Sequence, residues 1–429
     1  MTRRRERVST GKAIDQMEPA AASTSGLTGE ERRRIFLDER ALSANVDIQK
    51  NLEKFGSDLS LIEYPEWQRT KHVHRLHPYL GKFIPQLVEI FLRTFFVAGQ
   101  RVLDPFAGSG TTLVQACELG IHSIGFELSP FNVMIQRCKT NVHEVAGLRS
   151  DVQDALARLE GFSEELQARG RRSQRDLTTD SEYLNAWYAH RALQEILFYR
   201  SILEGYENAD VLRVILSRAA RSARLIPHFD LARPREPLQP GVAYECRKHR
   251  RQCQPIEEAL KFFRRYSRDT VERIEEFEAL RTEATIDVLE GDSRTVALPE
   301  ELKLDGVFTS PPYVGLIDYH EQHTYAYELF PELDRRDADE IGPMSLGKSK
   351  KARDAYVEDM SLVLSRLRPN LAPGARLFIV ANDRHGLYPE ILPRAGLVLE
   401  DVFHRPVPMR TERDTATYFE SIFMARDGD

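Results

Sequence analysis

The chain has 429 residues, of which 41% are hydrophobic and 29% are charged, and its formal net charge is -6 at pH 7. The slightly acidic balance excludes a general polyanion binder, so any nucleic-acid contact must come from a local basic patch. No apolar run approaches the roughly 18 residues of a membrane span, no apolar segment follows the basic N-terminus as it would in a signal peptide, and four cysteines are too few for a disulfide scaffold. We therefore expect a soluble cytoplasmic protein with no membrane partner.

The N-terminal region is polar or helical, and β-rich segments begin only further along the chain. Residues 1–28 lack a periodic apolar pattern and predict a disordered tail, whereas the apolar spacing over 30–55 is compatible with a helix. Short β-rich runs then alternate with helical stretches, which predicts an α/β fold with a mainly parallel sheet. The runs are 101–104, 123–127, 286–291, 306–310, 376–382, 397–407 and 417–425. The last two are too close for a helical crossover and predict an antiparallel pair.

A long interval between the second and third of these runs breaks the alternation. It contains no clear strand and reads as a series of helices. We therefore predict a helical lead-in and the first part of the sheet domain over 29–140. A helical insert would follow over 141–285, and the second part of the sheet domain over 286–429.

The segment DPFAGSGTT (104–112) joins the first predicted strand to a helix. Gly108 and Gly110 permit a tight turn and a close approach of a ligand to the backbone, and the next helix offers free N–H groups. The lysine of a P-loop is missing, and Leu113 stands where a dinucleotide fingerprint has its third glycine. Glu127, after the second strand, is suited to accept both hydroxyls of a ribose. The pattern favours a nucleoside cofactor without a pyrophosphate over a tight turn that binds nothing.

The run DGVFTSPPY (305–313) ends a predicted buried strand in two prolines. Proline has no N–H and holds the preceding residue extended, so Ser310 and Pro311 should present acceptors. If these accept the two hydrogens of an exocyclic base amine, the nitrogen lone pair becomes available without a strong base, while Tyr313 stacks on the base. The alternative is a rigid Pro–Pro turn with a core tyrosine. Helix packing and a base pocket explain the aromatic and histidine residues that follow equally well, namely Tyr319, His320 and His323.

Five segments together resemble the motifs of the bacterial DNA amino-methyltransferases. They are HPYLGKF (77–83), DPFAGSGTT (104–112), IGFELSP (124–130), EGDSR (290–294) and TSPPY (309–313). The resemblance implies an S-adenosylmethionine-dependent enzyme with a Rossmann-like seven-stranded sheet that acts on double-stranded DNA, with a cognate restriction endonuclease as a further expected partner. In this family a leading serine, here Ser310, is associated with cytosine N4 and a leading Asp or Asn with adenine N6. Cytosine is therefore favoured, and adenine stays open.

The resemblance also assigns residues to the cofactor and to the reaction. Phe83 would pack near the methionine end of the cofactor, and Asp292 would lie near its adenine. The complete predicted cofactor set is Lys82, Phe83, Asp104, Pro105, Phe106, Gly108, Gly110, Thr111, Glu127 and Asp292. The catalytic loop would consist of Ser310, Pro311, Pro312 and Tyr313. We expect direct methyl transfer to an extruded base, with no covalent intermediate because no cysteine lies near either motif.

Two alternatives to DNA methylation remain at this stage. An RNA or tRNA base methylase shares the glycine loop but usually carries Asp or Asn before the Pro–Pro pair. A DNA-binding protein with a vestigial cofactor fold is the second alternative, although the intact glycine loop argues against decay. Labelled methyl transfer to duplex DNA or to RNA would separate these functions.

A basic excess in the insert predicts where DNA is bound. Lys and Arg outnumber Asp and Glu by 14 to 5 across 213–268, which suits phosphate contacts. The predicted nucleic-acid-binding residues are Arg218, Arg221, Arg224, Arg247, Lys248, Arg250, Arg251, Arg264 and Arg265. The alternative is a solvated helical face that pairs with the acidic stretch ERIEEFE (272–278).

The segment CRKHRRQC (246–253) brings two cysteines and a histidine close together in the sequence. Zinc requires four ligands, and this segment supplies three, Cys246, His249 and Cys253, with His228 as a distant fourth. We therefore predict no metal site here and leave the question to a metal assay.

Overall fold

The computed structural model describes residues 59, 61, 68, 70–78, 84–169, 176–228, 234–407 and 418–428. The predicted tail, the predicted helix over 30–55 and the predicted cofactor residues Lys82 and Phe83 lie outside the described residues. Among the helices in the described ranges, none combines the length and the apolar composition that crossing a bilayer requires.

Seven strands of the described residues form one sheet. They are β1 (Arg101–Asp104), β2 (His122–Glu127), β5 (Ile286–Glu290), β6 (Leu304–Thr309), β7 (Leu371–Ala381), β8 (Leu397–Val407) and β9 (Tyr418–Asp427), while β3 (Tyr244–Cys246) and β4 (Arg251–Cys253) belong to the insert. The strand order in the sheet is β5-β2-β1-β6-β7-β9-β8. The first five in this order pair in parallel, and β9 is antiparallel to both of its neighbours. The predicted Rossmann-like α/β sheet with an antiparallel C-terminal pair is confirmed.

Helices cover both faces of this sheet. The α-helices of the described residues are α1 (Pro85–Phe95), α2 (Thr111–Glu118), α3 (Pro130–Thr140), α4 (Val145–Arg169), α5 (Glu182–Trp187), α6 (His190–Ile202), α7 (Ala209–Ala223), α8 (Leu260–Glu278), α9 (Tyr319–Gln322), α10 (Thr324–Leu329), α11 (Lys350–Leu367) and α12 (Tyr388–Arg394), of which α4 to α8 lie in the insert. Successive residues of a strand point to opposite faces, so in β1 Val102 packs into the apolar layer of α1 and Leu103 into that of α11 and α12. The central strands β1 and β6 are therefore buried along most of their length.

The helical insert shares an apolar core with the sheet domain. Phe131 of α3, Leu212 of α7, Phe263 of α8 and Leu329 of α10 belong to one buried cluster. Helix α7 packs against α8 on the insert side and against α3 and α10 on the sheet-domain side. Because α7 is enclosed by these neighbours, most of its side chains are removed from water.

The prediction that residues 141–285 contain no strand is wrong. β3 (Tyr244–Cys246) and β4 (Arg251–Cys253) form an antiparallel hairpin, and Arg250 in its turn has φ of +50°. Each strand has only three residues, so the alternation of apolar and polar side chains that identifies a strand has no room to appear. We call residues 244–253 the basic hairpin.

Candidate active site

The segment between β1 and α2 makes a tight turn at the carboxyl end of β1. Gly108 has φ of +53° and Gly110 has φ of +80°, a region that residues with a Cβ disfavour. The Gln136 side-chain amide donates to the Gly108 carbonyl at 2.8 Å, and a Cβ at Gly110 would lie 3.2 Å from Gln136 Cγ. The Lys139 ammonium donates to the Ser109 carbonyl. Helix α3 therefore fixes the shape of the turn.

Asp104 connects this turn to the end of the neighbouring strand β6. One carboxylate oxygen accepts from the Thr112 hydroxyl at 2.6 Å and the other accepts from the Thr309 hydroxyl at 2.6 Å. Burial raises the pKa of Asp104 to about 6, and these hydrogen bonds oppose that rise. Because Thr112 belongs to α2 and Thr309 ends β6, this carboxyl group holds the glycine turn and the Ser-Pro-Pro-Tyr segment in fixed relation.

The glycine turn and the Ser-Pro-Pro-Tyr segment line one cavity, as the sequence predicts. Of the predicted site residues, those in its walls are Pro105, Phe106, Gly108, Thr111, Glu127, Asp292, Ser310 and Pro312. These residues follow β1, β2, β5 and β6, and the carboxyl ends of parallel strands are where ligands of open α/β sheets bind. The sheet topology therefore assembles the cavity from segments far apart in the chain.

Among the predicted cofactor and catalytic residues that the structure describes, four lie outside the lining of this cavity. They are Asp104, Gly110, Pro311 and Tyr313. Asp104 is buried behind the turn, and Gly110 precedes the first residue of α2. Neither position borders the cavity, so both shape its wall from behind and do not contribute surface to it.

Glu127 presents its carboxylate to the cavity at the end of β2. Its Oε1 accepts from the Ser129 backbone N–H at 2.9 Å and from the Asn132 side-chain amide at 3.2 Å. Removal from water raises the pKa of Glu127 to about 7, although these donors lower it. The oxygen Oε1 is therefore fixed by the protein, and the group titrates near neutral pH.

Asp292 is held in the cavity wall by an arginine. The Arg294 guanidinium donates to both Asp292 oxygens, at 2.9 Å from Nε and 2.7 Å from Nη2 to Oδ2 and at 3.1 Å from Nε to Oδ1. Arg294 also donates to Asp359 at 3.1 Å and to the Asp339 carbonyl at 2.8 Å. This network joins the segment after β5 to α11 and to the loop that contributes Asp339 to the cavity.

The Ser-Pro-Pro-Tyr segment is anchored at two points away from the cavity. The Tyr356 hydroxyl donates to the Pro312 carbonyl at 2.9 Å and lies 3.1 Å from the Tyr388 hydroxyl. The Tyr313 hydroxyl donates to Glu420 at 3.1 Å, and Glu420 accepts from Arg405 at 2.8 Å in a buried ion pair.

Sequence reasoning missed Arg405 and Glu420, although a signal for them exists. They are directly opposite one another on β8 and β9, and the two strands were predicted as a pair. Opposite charges in cross-strand register would have identified the ion pair, but its contact with Tyr313 depends on the fold.

The segment after Ser-Pro-Pro-Tyr contributes to the same cavity. Tyr319 and His320 line it, together with Glu340, whereas His323 packs against the Phe131 ring with centroids 5.0 Å apart. Glu340 accepts from the backbone N–H groups of His320 at 2.9 Å and Tyr319 at 3.2 Å, and also contacts His320 Nδ1. Glu340 was missed because no local pattern links it to residues twenty positions earlier.

The predicted DNA-binding role of the α7 arginines conflicts with their burial. Arg218 donates to Asp269 and to the Thr270 hydroxyl and lies 4.3 Å from the Tyr266 ring centroid. Arg224 lies 5.0 Å from the Tyr325 ring centroid; both guanidinium groups belong to buried side chains, and Arg221 is half-buried. Arg218 and Arg224 therefore contact the protein interior, because α7 is enclosed by α3, α8 and α10.

The other predicted basic residues are at the surface. The exposed set is Arg247, Lys248, Arg250, Arg251, Arg264 and Arg265. Four of these are in the basic hairpin, and the remaining two are on α8, where Arg264 pairs with Glu160 at 2.6 Å. Only this part of the predicted patch is placed where phosphates could reach it.

Comparison with known proteins gives consistent matches. The model of a family described as DNA methylase matches residues 21–136. The type II methyltransferase M.MjaII of Methanocaldococcus jannaschii is 39% identical over 443 aligned positions, covering 86% of this chain and 83% of the relative.

Two more distant type II methyltransferases match about two thirds of the chain. M.MvaI of Kocuria varians is 22% identical, covering 67% of this chain and 62% of its own. M.BsoBI of Geobacillus stearothermophilus is 25% identical, covering 66% of this chain and 57% of its own.

Proposed function

The chain belongs to the type II DNA methyltransferases, and we propose that it methylates the N4 amine of cytosine in double-stranded DNA, with S-adenosylmethionine as methyl donor. One observation carries the proposal: Gly108 and Ser310 line the same cavity. A methyl donor held at the glycine turn would therefore lie next to an amine held at Ser310. The leading serine favours cytosine N4 over adenine N6, as the family resemblance implies.

The residues of the cavity fit the chemistry of the cofactor. When bound, S-adenosylmethionine supplies a methyl group activated by a positively charged sulfur. The Glu127 carboxylate would accept the ribose hydroxyls, since Ser129 and Asn132 already fix its other oxygen. Asp292, fixed by Arg294, would lie near the adenine. No lysine is present in the glycine turn, as expected for a cofactor without phosphates.

The Ser-Pro-Pro-Tyr segment would activate the amine by accepting hydrogen bonds. The Ser310 hydroxyl and the Pro311 carbonyl would each accept one amine hydrogen, which draws the nitrogen toward tetrahedral geometry and frees its lone pair. The cofactor, held at the glycine turn and Glu127, would supply the methyl group to this nitrogen; its sulfur would keep the electron pair of the broken sulfur–methyl bond, and the methylated amine would release a proton. The Tyr356 hydroxyl anchors the segment by donating to the Pro312 carbonyl, and Ser310 lines the cavity.

Tyr313 would contact the face of the extruded base. Stacking on an aromatic ring contributes about 1–3 kcal/mol per base in nucleic-acid sites. The Tyr313 hydroxyl is bound to Glu420, so the ring is held by one end. We assign Glu420 and Arg405 as positioning residues for this tyrosine.

DNA would be bound by exposed basic residues, and the target base would leave the duplex to reach the cavity. The basic hairpin and Arg265 supply surface cations for phosphate contacts. A restriction endonuclease with the same recognition sequence would be the cognate partner, and methylation should then protect the shared site from cleavage.

The proposal is tested by identifying the methylated nucleoside. The purified enzyme would be incubated with labelled S-adenosylmethionine and duplex DNA, and the digested nucleosides separated by mass. We expect N4-methyldeoxycytidine. N6-methyldeoxyadenosine as the labelled product would contradict the cytosine assignment, and label in RNA alone would contradict the DNA assignment.

Active-site variants test the assigned roles separately from the product. S310A and Y313A should bind S-adenosylmethionine as the wild type does but lose most methyl transfer. S365A changes a half-buried serine of α11 that lies outside the cavity lining and should keep full activity. Full activity in both active-site variants would remove the assigned roles of the loop.

A further inference from the structure

Four side chains in the insert converge, three of them close together in the sequence and the fourth, His228, 18 positions before Cys246. His228 follows α7, Cys246 ends β3, His249 is in the turn and Cys253 ends β4. Their ligand-type atoms all lie within 4.8 Å of one another. The hairpin thus brings the cysteines and His249 together, and the chain after α7 supplies His228 as the fourth member.

Three sulfur–nitrogen distances within this cluster match those of a tetrahedral zinc site. Cys246 Sγ lies 3.6 Å from His228 Nδ1 and 3.6 Å from His249 Nδ1, and Cys253 Sγ lies 3.5 Å from His249 Nδ1. Zinc binds sulfur at about 2.3 Å and imidazole nitrogen at about 2.0–2.1 Å, so tetrahedral angles place sulfur and nitrogen about 3.6 Å apart. One ion would therefore fit between the side chains without rearranging the backbone.

The immediate surroundings also favour a metal over a disulfide. Both thiols are free and buried, and a disulfide would leave the two imidazoles without a function. The Tyr244 hydroxyl accepts from the His228 backbone N–H at 3.1 Å and lies 3.0 Å from His228 Nδ1. Tyr244 thereby holds the histidine from outside the hairpin next to the cysteines.

The hairpin has little else to stabilise it. Each strand has three residues, and among β3 and β4 only Cys246 and Cys253 are buried. Isolated two-stranded hairpins are at best marginally stable in water, and a bound metal contributes its binding free energy directly to the folding of such a small unit. Two thiolates and two imidazoles are ligands that suit zinc, whereas magnesium and calcium prefer oxygen.

We propose that His228, Cys246, His249 and Cys253 bind one structural Zn²⁺ that fixes the basic hairpin to the end of α7. Four protein ligands leave no open coordination position, so the ion is structural and takes no part in methyl transfer. A further consequence rests on the proposed function: the ion holds Arg247, Lys248, Arg250 and Arg251, which are exposed on the hairpin, in one arrangement against the DNA phosphates.

The metal content of the full-length protein tests the site directly. Protein purified without chelators should contain about one zinc per chain, and X-ray absorption should report two sulfur and two nitrogen ligands at about 2.3 and 2.0–2.1 Å. H249A should lose the metal, whereas H404A, which also changes an exposed histidine, should retain it. Metal-free protein that takes up neither Zn²⁺ nor Co²⁺, or a Cys246–Cys253 disulfide in freshly purified protein, would overturn the proposal.

Limited trypsin digestion of the wild type provides a second readout that needs no variant. Removal of zinc by a chelator should accelerate cleavage after the arginines of the basic hairpin, and added Zn²⁺ should reverse the effect. Cleavage after the exposed Arg384 serves as the internal control and should not change. Equal hairpin cleavage with and without metal would contradict a structural role, whatever the methylated base proves to be.

Discussion

The cavity lined by the glycine turn brings together residues that are far apart in the sequence, because they follow neighbouring parallel strands. The insert shows the opposite behaviour, since arginines that are close in the sequence separate into buried and exposed groups. Glu127 and Ser310 face one cavity, while Arg218 is buried and Arg247 is exposed. The cavity depends on strand ends and turns, which local sequence specifies. The exposure of a basic residue depends on which elements pack beside it. The number of charged residues in a segment does not indicate which of them are exposed.

The largest effect should come from removing a buried arginine of α7. R218A removes the buried guanidinium that bonds to Asp269 and Thr270 and lies over the Tyr266 ring, while Arg273 remains as an ion-pair partner of Asp269. The unsatisfied buried Thr270 hydroxyl and the lost cation–π contact together should cost about 3–5 kcal/mol in the free energy of unfolding. R264A removes an exposed pair with Glu160 and should cost about 0–1 kcal/mol. Urea unfolding of both variants measures the difference. Equal stability would mean that Arg218 is no more part of the core than Arg264.

The next largest effect should come from a variant of the cavity, which should reduce kcat and leave the free energy of unfolding unchanged. Under the proposed function S310A would remove one hydrogen-bond acceptor of the amine in the transition state, and loss of a comparable catalytic hydrogen bond reduces kcat by roughly 100-fold to 1,000-fold. Single-turnover methyl transfer and cofactor binding by calorimetry measure the two properties separately. Loss of cofactor binding would place Ser310 on the cofactor side of the cavity.

The exposed residues of the basic hairpin should contribute to the affinity for DNA. Replacing Arg247, Lys248, Arg250 and Arg251 together with alanine should weaken DNA binding on the order of tenfold or more and reduce the slope of log K against log salt by up to about 3.6. R394A changes an exposed arginine of α12 and serves as the control. Fluorescence anisotropy over a salt series measures the slope. An unchanged slope would mean that the hairpin does not contact phosphates.

The smallest effect is a pH dependence of cofactor affinity. Burial raises the pKa of Glu127 to about 7, and under the proposed function the ionised form would accept the two ribose hydroxyls. Affinity should therefore be highest above pH 7 and fall as the pH drops, to about one tenth one pH unit below the pKa. Calorimetric titration between pH 8 and pH 6 measures this fall. E127Q cannot ionise and should bind more weakly with a flat profile over the same range, so a sloping profile in E127Q would assign the titration to another group.

Much of the sheet and of the cavity was predictable from the sequence. Buried parallel strands produce short apolar runs, and the turn after β1 requires glycines at positive φ. Both features can therefore be recognised from sequence segments of a few residues. The resemblance of the same segments to the DNA amino-methyltransferases supplied the cofactor, and the family is borne out by M.MjaII at 39% identity. What the segments did not specify is the base, since serine before Pro–Pro is only associated with cytosine.

The contacts that join distant segments were decided by the tertiary structure alone. Asp104 bonds to Thr309, Tyr313 bonds to Glu420, and Glu340 holds the start of α9. The tertiary structure likewise determines that Arg218 is buried and that His228 lies beside Cys246. Sequence determines what each side chain can donate, accept or ligate, but side chains from separate elements meet only where packing brings those elements together, and that packing is a property of the whole core.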